Sequence, residues 1–245
     1  MLEIISTYYP LLLRGLGITI LLAIVGTLGG FFLSLPLVSS RTNKIDKRRD
    51  SFFLKSFKTF TNWFSTAYIT IFRGTPMIVQ AMVFYYGIKM VVNSDWWNPL
   101  SAGLIIVTLN TAAYIAEIIR GSVNALDVGQ SEAARALGFS RPATMIEIVY
   151  PQAIKNSLPA IGNEFIINLK DSAVLSVIGI LDLFNATKQV VGATYNVVIP
   201  FIITALLYLI LTSLTALLFH KLEKGRKEKG NNEIHYRSFK RRQNI

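Results

Sequence analysis

Three polar side chains in an otherwise apolar stretch carry the most chemistry in this chain. Glu164, Asn168 and Asp171 stand at spacing i, i+4 and i+7, so a helix places them on one face. Two carboxylates and an amide so arranged could hold an ammonium or a cationic side chain by charge-assisted hydrogen bonds. A structural reading competes, in which Lys170 pairs with Asp171 and Glu164 bonds a neighbouring helix. Glu117 is a further isolated acid that could join such a site or pair with Arg73 or Arg120. Arg73 and Thr75 suit a carboxylate. Catalysis finds no support: His220 and His235 are too isolated to build a triad or a metal cluster. Cys is absent, which excludes thiolate metal sites, Cys nucleophiles and disulfides.

These residues sit in membrane-like surroundings. The 245 residues are 52% hydrophobic and only 16% charged, with a mean hydropathy of +0.45; soluble domains carry about 25% charged residues. Gly15 to Ser40, Trp96 to Ala116 and Gln189 to Phe219 hold no charge, and each meets the roughly 18–20 residues needed to cross a hydrocarbon core. The pattern is that of an all-α, multi-spanning membrane protein; a barrel would show alternating segments of about 10 residues. The net charge of +11 is concentrated, with seven Lys and Arg between Arg41 and Lys58 and nine between Lys221 and Arg242. Both clusters flank apolar spans. That is the cytoplasmic positive bias, with anionic lipid as the basic residues' partner and no nucleic acid.

Five spans follow: about Leu11 to Val38, Thr75 to Val92, Pro99 to Ile119, Pro159 to Leu181 and Val197 to Phe219. The first lacks a cleavage site and reads as a retained span. The N-terminus lies outside and the C-terminus inside. Phe60 to Phe72 is apolar at helical spacing on one face only and reads as a helix in the interface plane, ended by Arg73-Gly74-Thr75-Pro76. A single broken span from Phe60 to Tyr86 is the competing reading. Asn93 to Asn98 reads as an external turn with Trp96 and Trp97 at the boundary, and Asp182 to Asn196 as an external connection. Residues 221–245 form a basic cytoplasmic tail, a short helical extension and then disorder. If the fourth span enters at Pro159, Asp171 lies about 18 Å along it and Glu164 about 8 Å. Glu117 falls at a depth similar to Glu164 on the third span.

The stretch from Glu132 to Pro151 is a polar island between spans. Ser131 can cap a helix beginning at Glu132, continued by Ala133, Ala134, Ala136 and Leu137, and Gly138 is a natural left-handed stop. Ser140 caps a second helix, with Pro142 in its first turn. A seven-residue helix, about 10 Å long, is unstable alone. Its small exposed face suits insertion into a groove on another protein; an ordinary amphipathic connection is the alternative.

Glu132-Ala133-Ala134, three residues, Gly138, nine residues, Ile148, one residue, then Tyr150-Pro151 resembles the EAA loop (129–151) of ABC importer membrane subunits. That family usually has Leu before the Pro, where this chain has Tyr150. Phe72-Arg73-Gly74-Thr75-Pro76, Ala113-Tyr114-Ile115-Ala116-Glu117-Ile118-Ile119-Arg120-Gly121 and Gly129-Gln130 are similar to the polar amino-acid branch. So is Leu169-Lys170-Asp171-Ser172, though that branch often has Thr before a further Ser. The similarity covers roughly residues 10 to 220, leaving the tail outside it.

The resemblance implies a type I ABC importer transmembrane fold over residues 1–220 and a permease subunit in a bacterial cell membrane. Two permease subunits, the same chain or homologues, would pair. A cytoplasmic ATPase dimer would dock on Glu132, Ala133, Ala134, Leu137 and Gly138, and an extracellular solute-binding protein would deliver a polar amino acid. The sequence agrees by omission. It has no G-x-x-x-x-G-K-[ST] stretch, so ATP and Mg belong to the partner and this chain holds no cofactor of its own. The substrate would meet Glu164, Asn168, Asp171, Glu117, Arg73 and Thr75, and a basic amino acid, glutamine or cystine remains open. A self-sufficient secondary carrier or channel is the alternative, yet such carriers often show inverted repeats and none is visible here.

Overall fold

Close glycine contacts bring the first and fourth helices together. The computed structural model describes residues 2–43, 51–92 and 94–243, with side chains from 3 to 225. Helix α1 (Leu2–Thr42) runs parallel to α4 (Pro99–Asn124). A Cβ at Gly26 would lie 2.8 Å from a Val107 methyl, and one at Gly30 would lie 3.0 Å from Thr111. Small residues at these positions let the backbones approach, the usual means of packing helices in lipid. Asn98 and Ser101 cap α4 reciprocally, with Pro99 in its first turn.

Helix α7 (Tyr150–Asp171) runs antiparallel to both and lies against them. Its register is set by Ser157 Oγ donating to Ser122 Oγ at 2.9 Å and by Asn168, which bonds Thr111 and Thr27 at 3.0 Å each. Its expected start at Pro159 is corrected, because Pro159 lies inside the helix. The segment before it, α6 (Arg141–Thr144), continues through a π-helical turn (Met145–Val149) directly into α7. The expected end at Leu181 also shifts: α-helix stops at Asp171, and a 3-10 turn (Ser172–Ile178) leads to Gly179 at φ 91°.

The break after Arg73 falls where the sequence places it. Pro76 has no N–H to give and holds Thr75 extended, at φ −122° and ψ 144°. The helix before it is longer than expected: α2 (Phe52–Gly74) starts from a Ser51 cap. Helix α3 (Met77–Val91) is only 15 residues, about 22 Å, too short to cross the core alone. The two meet at 110°, the geometry of a broken span or a re-entrant loop. Three further helices are long and apolar enough to cross: α1, α4 and the Val198–Gly225 part of α9 (Val198–Gln243). Helix α7, at 22 residues, is about 33 Å long; Lys155, Glu164, Lys170 and Asp171 keep its hydropathy low. Counting the bent pair, four candidates among the described residues are apolar enough to cross, and α7 has the length, though not the hydropathy, of the fifth that the sequence implies.

Three other expectations are revised. Residues 182–196 are no open connection: Asp182 caps α8 (Leu183–Thr194), accepting from Asn185 N at 3.0 Å. Leu183, Ala186 and Val190, at i, i+3 and i+7, are fully buried in a cluster with Leu12 and Ile203. Trp97 is no boundary residue: it is 4% exposed and donates to the Tyr85 carbonyl at 3.0 Å, whereas Trp96 is exposed. The tail read as disordered is helical in backbone to Gln243, consistent with a stretch without Pro. Within the first basic cluster, Lys44, Lys47, Arg48 and Arg49 lie outside the described residues, as does Asn93 in the expected external turn.

Candidate functional site

Three helix ends converge on one carboxylate. Glu117 projects from the last third of α4, with Arg120 one turn further on. Arg120 Nε lies 3.0 Å from Glu117 Oε1, and its Nη2 donates to Oε2 at 2.8 Å. Arg41, in the last turn of α1, donates from Nη1 to Oε1. Arg73, in the last turn of α2, lies 3.6 Å from Oε2 and 5.4 Å over the Tyr114 ring. Glu117 makes the ion pair that the sequence offers as one of its two roles, and both sequence-proposed partners take part. Arg41 was not foreseen: as the first base after a span, its sequence reads only as flanking charge. The glutamate side chain is 16% exposed and that of Arg73 44%. Arg73 is therefore the member of the cluster most open to a ligand.

The adjoining face belongs to α7. Glu164 is half-buried, and both Asp171 and Arg73 are near enough to act on it electrostatically. Asp171 is exposed, and Lys170 beside it attracts its carboxylate without closing to a salt bridge. Among the described residues neither carboxylate has a hydrogen-bond or ion-pair partner. Asn168 stands apart from them. It is 5% exposed, and its amide is spent on Thr111 and Thr27 between α4 and α1. Positions i and i+4 diverge by about 40° on a helix, enough here for Asn168 to face the core and Glu164 to turn toward Arg73.

Thr75 lies in the α2–α3 bend, where a buried amide ties the chain. Gln80, 6% exposed, donates to the Phe72 and Thr75 carbonyls and the Thr75 hydroxyl at 2.9 Å each. Asn110 from α4 donates to Gln80 Oε1 at 2.9 Å. These bonds satisfy carbonyls that a helix end leaves open and so fix Arg73 between them. Neither amide was singled out from the sequence. Each is a lone polar residue in an apolar span, the kind of position that is rare and usually partnered.

At the end of the bundle carrying Arg41 and Arg120, α5 (Val128–Ala136) protrudes. Its cap is Asp127, accepting from Gly129 N at 2.8 Å, rather than Ser131, so the helix starts four residues before Glu132. Its end is as expected. Gly138 sits at φ 89°, with Gly138 N bonded to Arg135 O and Phe139 N to Ala134 O, a Schellman stop. Glu132, Ala133, Leu137 and Gly138 are exposed, Leu137 at 80%, while Ala134 is buried against the body of the chain.

A groove of about 750 Å³ between α1, α7 and α9 has a mainly apolar lining that includes Ile24, Leu28, Phe165 and Phe219. Neither Glu164 nor Asp171 lines it, and its surface suits acyl chains better than a polar solute. Among the described residues no group of three or more His, Cys, Asp and Glu could hold a metal ion.

A bundle of long apolar helices, a bent span and charged groups inside it define a multi-pass membrane protein of the transport class. Residues 51–228 match the family model described as binding-protein-dependent transport system inner membrane component. The chain belongs to this family, the permease subunits of ABC importers. It is 36% identical over 225 residues to the arginine transport system permease protein ArtQ of Bacillus subtilis (strain 168), covering 91% of this chain and 94% of that one. It is 30% identical over 222 residues to the glutamine transport system permease protein GlnP of Escherichia coli (strain K12), covering 89% and 94%. The crystal structure of an amino acid ABC transporter with histidines superposes with a TM-score of 0.77 at 35% identity, covering 90% of this chain and 96% of that one. The MetNI methionine ABC transporter in an inward-facing form matches with a TM-score of 0.70 at 21% identity, covering 88% and 95%; at that identity the likeness is one of fold.

Proposed function

We propose that this permease subunit passes a cationic amino acid across a bacterial cell membrane, with Glu164 and Asp171 holding the substrate's positive groups. The observation that carries this reading is the pair of carboxylates on one α7 face that make no hydrogen bond or salt bridge among the described residues, beside the exposed Arg73. A carboxylate inside a membrane bundle is costly unless a cation joins it, and a cationic amino acid supplies one. Arg73 then receives the substrate carboxylate, while Thr75, whose hydroxyl donates to the Ile71 carbonyl at 2.8 Å, stays with the bend; Asn168 braces α7, and Glu117 holds Arg73 in place. An arginine permease among the relatives and a related transporter solved with histidines support the substrate class.

Energy and capture come from other chains. The exposed Glu132–Gly138 surface docks a cytoplasmic ATPase dimer, which binds ATP and Mg. A second permease subunit completes the pathway, and an extracellular solute-binding protein delivers substrate. The Arg41 and Lys221 end faces the cytoplasm, following the basic bias, with the N-terminus outside. Transport proceeds by alternating access, the two states differing in their affinity for the substrate. In a reconstituted complex, Glu164→Gln should weaken substrate stimulation of ATP hydrolysis about tenfold, the effect of losing one charge-assisted hydrogen bond. Unchanged stimulation across substrate concentrations would end the assignment of Glu164.

A further inference from the structure

The last turn of α1 carries two contacts that face different helices. Arg41 reaches α4 and pairs with Glu117. Thr42, the next residue, turns toward α7, where its Oγ1 lies 2.7 Å from the Tyr150 hydroxyl and 2.8 Å from its own helix carbonyl at Val38. Tyr150 is the first residue of α7 and follows the π-helical turn that joins α7 to α6 and α5. The half-buried ring packs against the cluster formed by Leu37, Val38, Ile115 and Ile119. A π-turn holds one residue more than an α-turn needs and is frequent at functional sites. Tyr150 is thus the point at which the docking segment becomes a buried helix.

We propose that the Tyr150–Thr42 hydrogen bond is the joint that passes movement of the docking segment to the ion cluster, making Tyr150 and Thr42 positioning residues for coupling. The inference rests on the reading that α5 docks the ATPase. Thr42 and Arg41 are neighbours on one rigid turn, about 1.5 Å apart along the helix axis. Displacing Tyr150 therefore pulls Arg41 against Glu117, and through Glu117 acts on Arg73 at the substrate face. The hydroxyl matters in this chain because a leucine there, as the related loop usually has, would offer α1 no hydrogen bond.

The test is a double-mutant cycle in the complete reconstituted transporter, reading substrate molecules imported per ATP hydrolysed. Tyr150→Phe and Thr42→Val each remove one hydroxyl without changing shape, and each should lower the ratio about three- to tenfold, the range of one part-buried hydrogen bond. The double variant should be no worse than either single one, and Thr42→Ser should restore the ratio. Unchanged ratios in the single variants, or losses that multiply in the double, would overturn the joint. If a variant assembles poorly, the ratio is still read on the assembled fraction, and failure of Thr42→Ser to restore it there counts against the proposal. Failure of the wild-type chain to assemble with an ATPase would instead strike the docking reading on which the joint depends.

Discussion

Asn168 Oδ1 accepts a hydrogen bond from Thr111 Oγ1 at 3.0 Å, fixing the last turn of α7 against the middle of α4. The same amide donates to Thr27 on α1, so one side chain clamps three helices. Its neighbours on α7, Glu164 and Asp171, are turned about 40–60° away around the helix and make no such hydrogen bonds. This division of labour within one helix separates the brace from the candidate binding face, and the two can be tested apart.

Asn168→Ala should destabilise the purified chain by about 1–3 kcal/mol, since two interhelical hydrogen bonds are lost. Thermal unfolding in detergent measures this. Substrate concentration dependence in the reconstituted transporter should move far less than in Glu164→Gln, which would mark Asn168 as a brace; a larger shift in Asn168→Ala would make it a ligand.

The glycines of α1 give a matched pair. At Gly26 an added Cβ meets Val107 at 2.8 Å, whereas at Gly17 nothing lies within 4 Å. Gly26→Ala is therefore expected to cost about 1–3 kcal/mol through overpacking, and Gly17→Ala to be neutral or to stabilise by up to about 1 kcal/mol through helix propensity. Equal melting temperatures for the two variants would refute the parallel α1–α4 contact.

How far the sequence reads into this structure depends on the range of the interaction. The break at Thr75-Pro76, the Gly138 stop and the Ser140 cap follow from local backbone chemistry and fall where expected. The α5 start was misplaced because two good caps, Asp127 and Ser131, lie four residues apart, and only packing chooses between them. Helix α8 was missed although Asp182 followed by Leu183, Ala186 and Val190 carries both a cap and a buried face. Its shortness and lone acid and base made it look like a connection. Pro159 looked like a helix start, yet a helix clamped by Ser122, Thr111 and Thr27 carries it through. Glu117's pairing with Arg73 and Arg120 was within reach as an alternative. The contribution of Arg41 was not, because 76 residues separate it from Glu117.

Leu137 offers a test of docking that leaves the fold alone. It is 80% exposed at the tip of α5, so Leu137→Glu should hardly change the melting temperature. It should lower ATPase copurification at least tenfold, as expected for a charge placed in an apolar contact. Gly138→Ala should weaken copurification less and should also cost about 1 kcal/mol of stability, because φ 89° is strained for any residue with a Cβ. Full copurification of Leu137→Glu would remove α5 from the interface.

The most direct test is uptake of labelled arginine into proteoliposomes holding this chain with its ATPase and solute-binding protein. Accumulation should require ATP and be lost in the Glu164→Gln/Asp171→Asn double variant, while that variant still assembles with the ATPase. Accumulation without ATP, or uptake unchanged by neutralising both carboxylates, would contradict the proposed function.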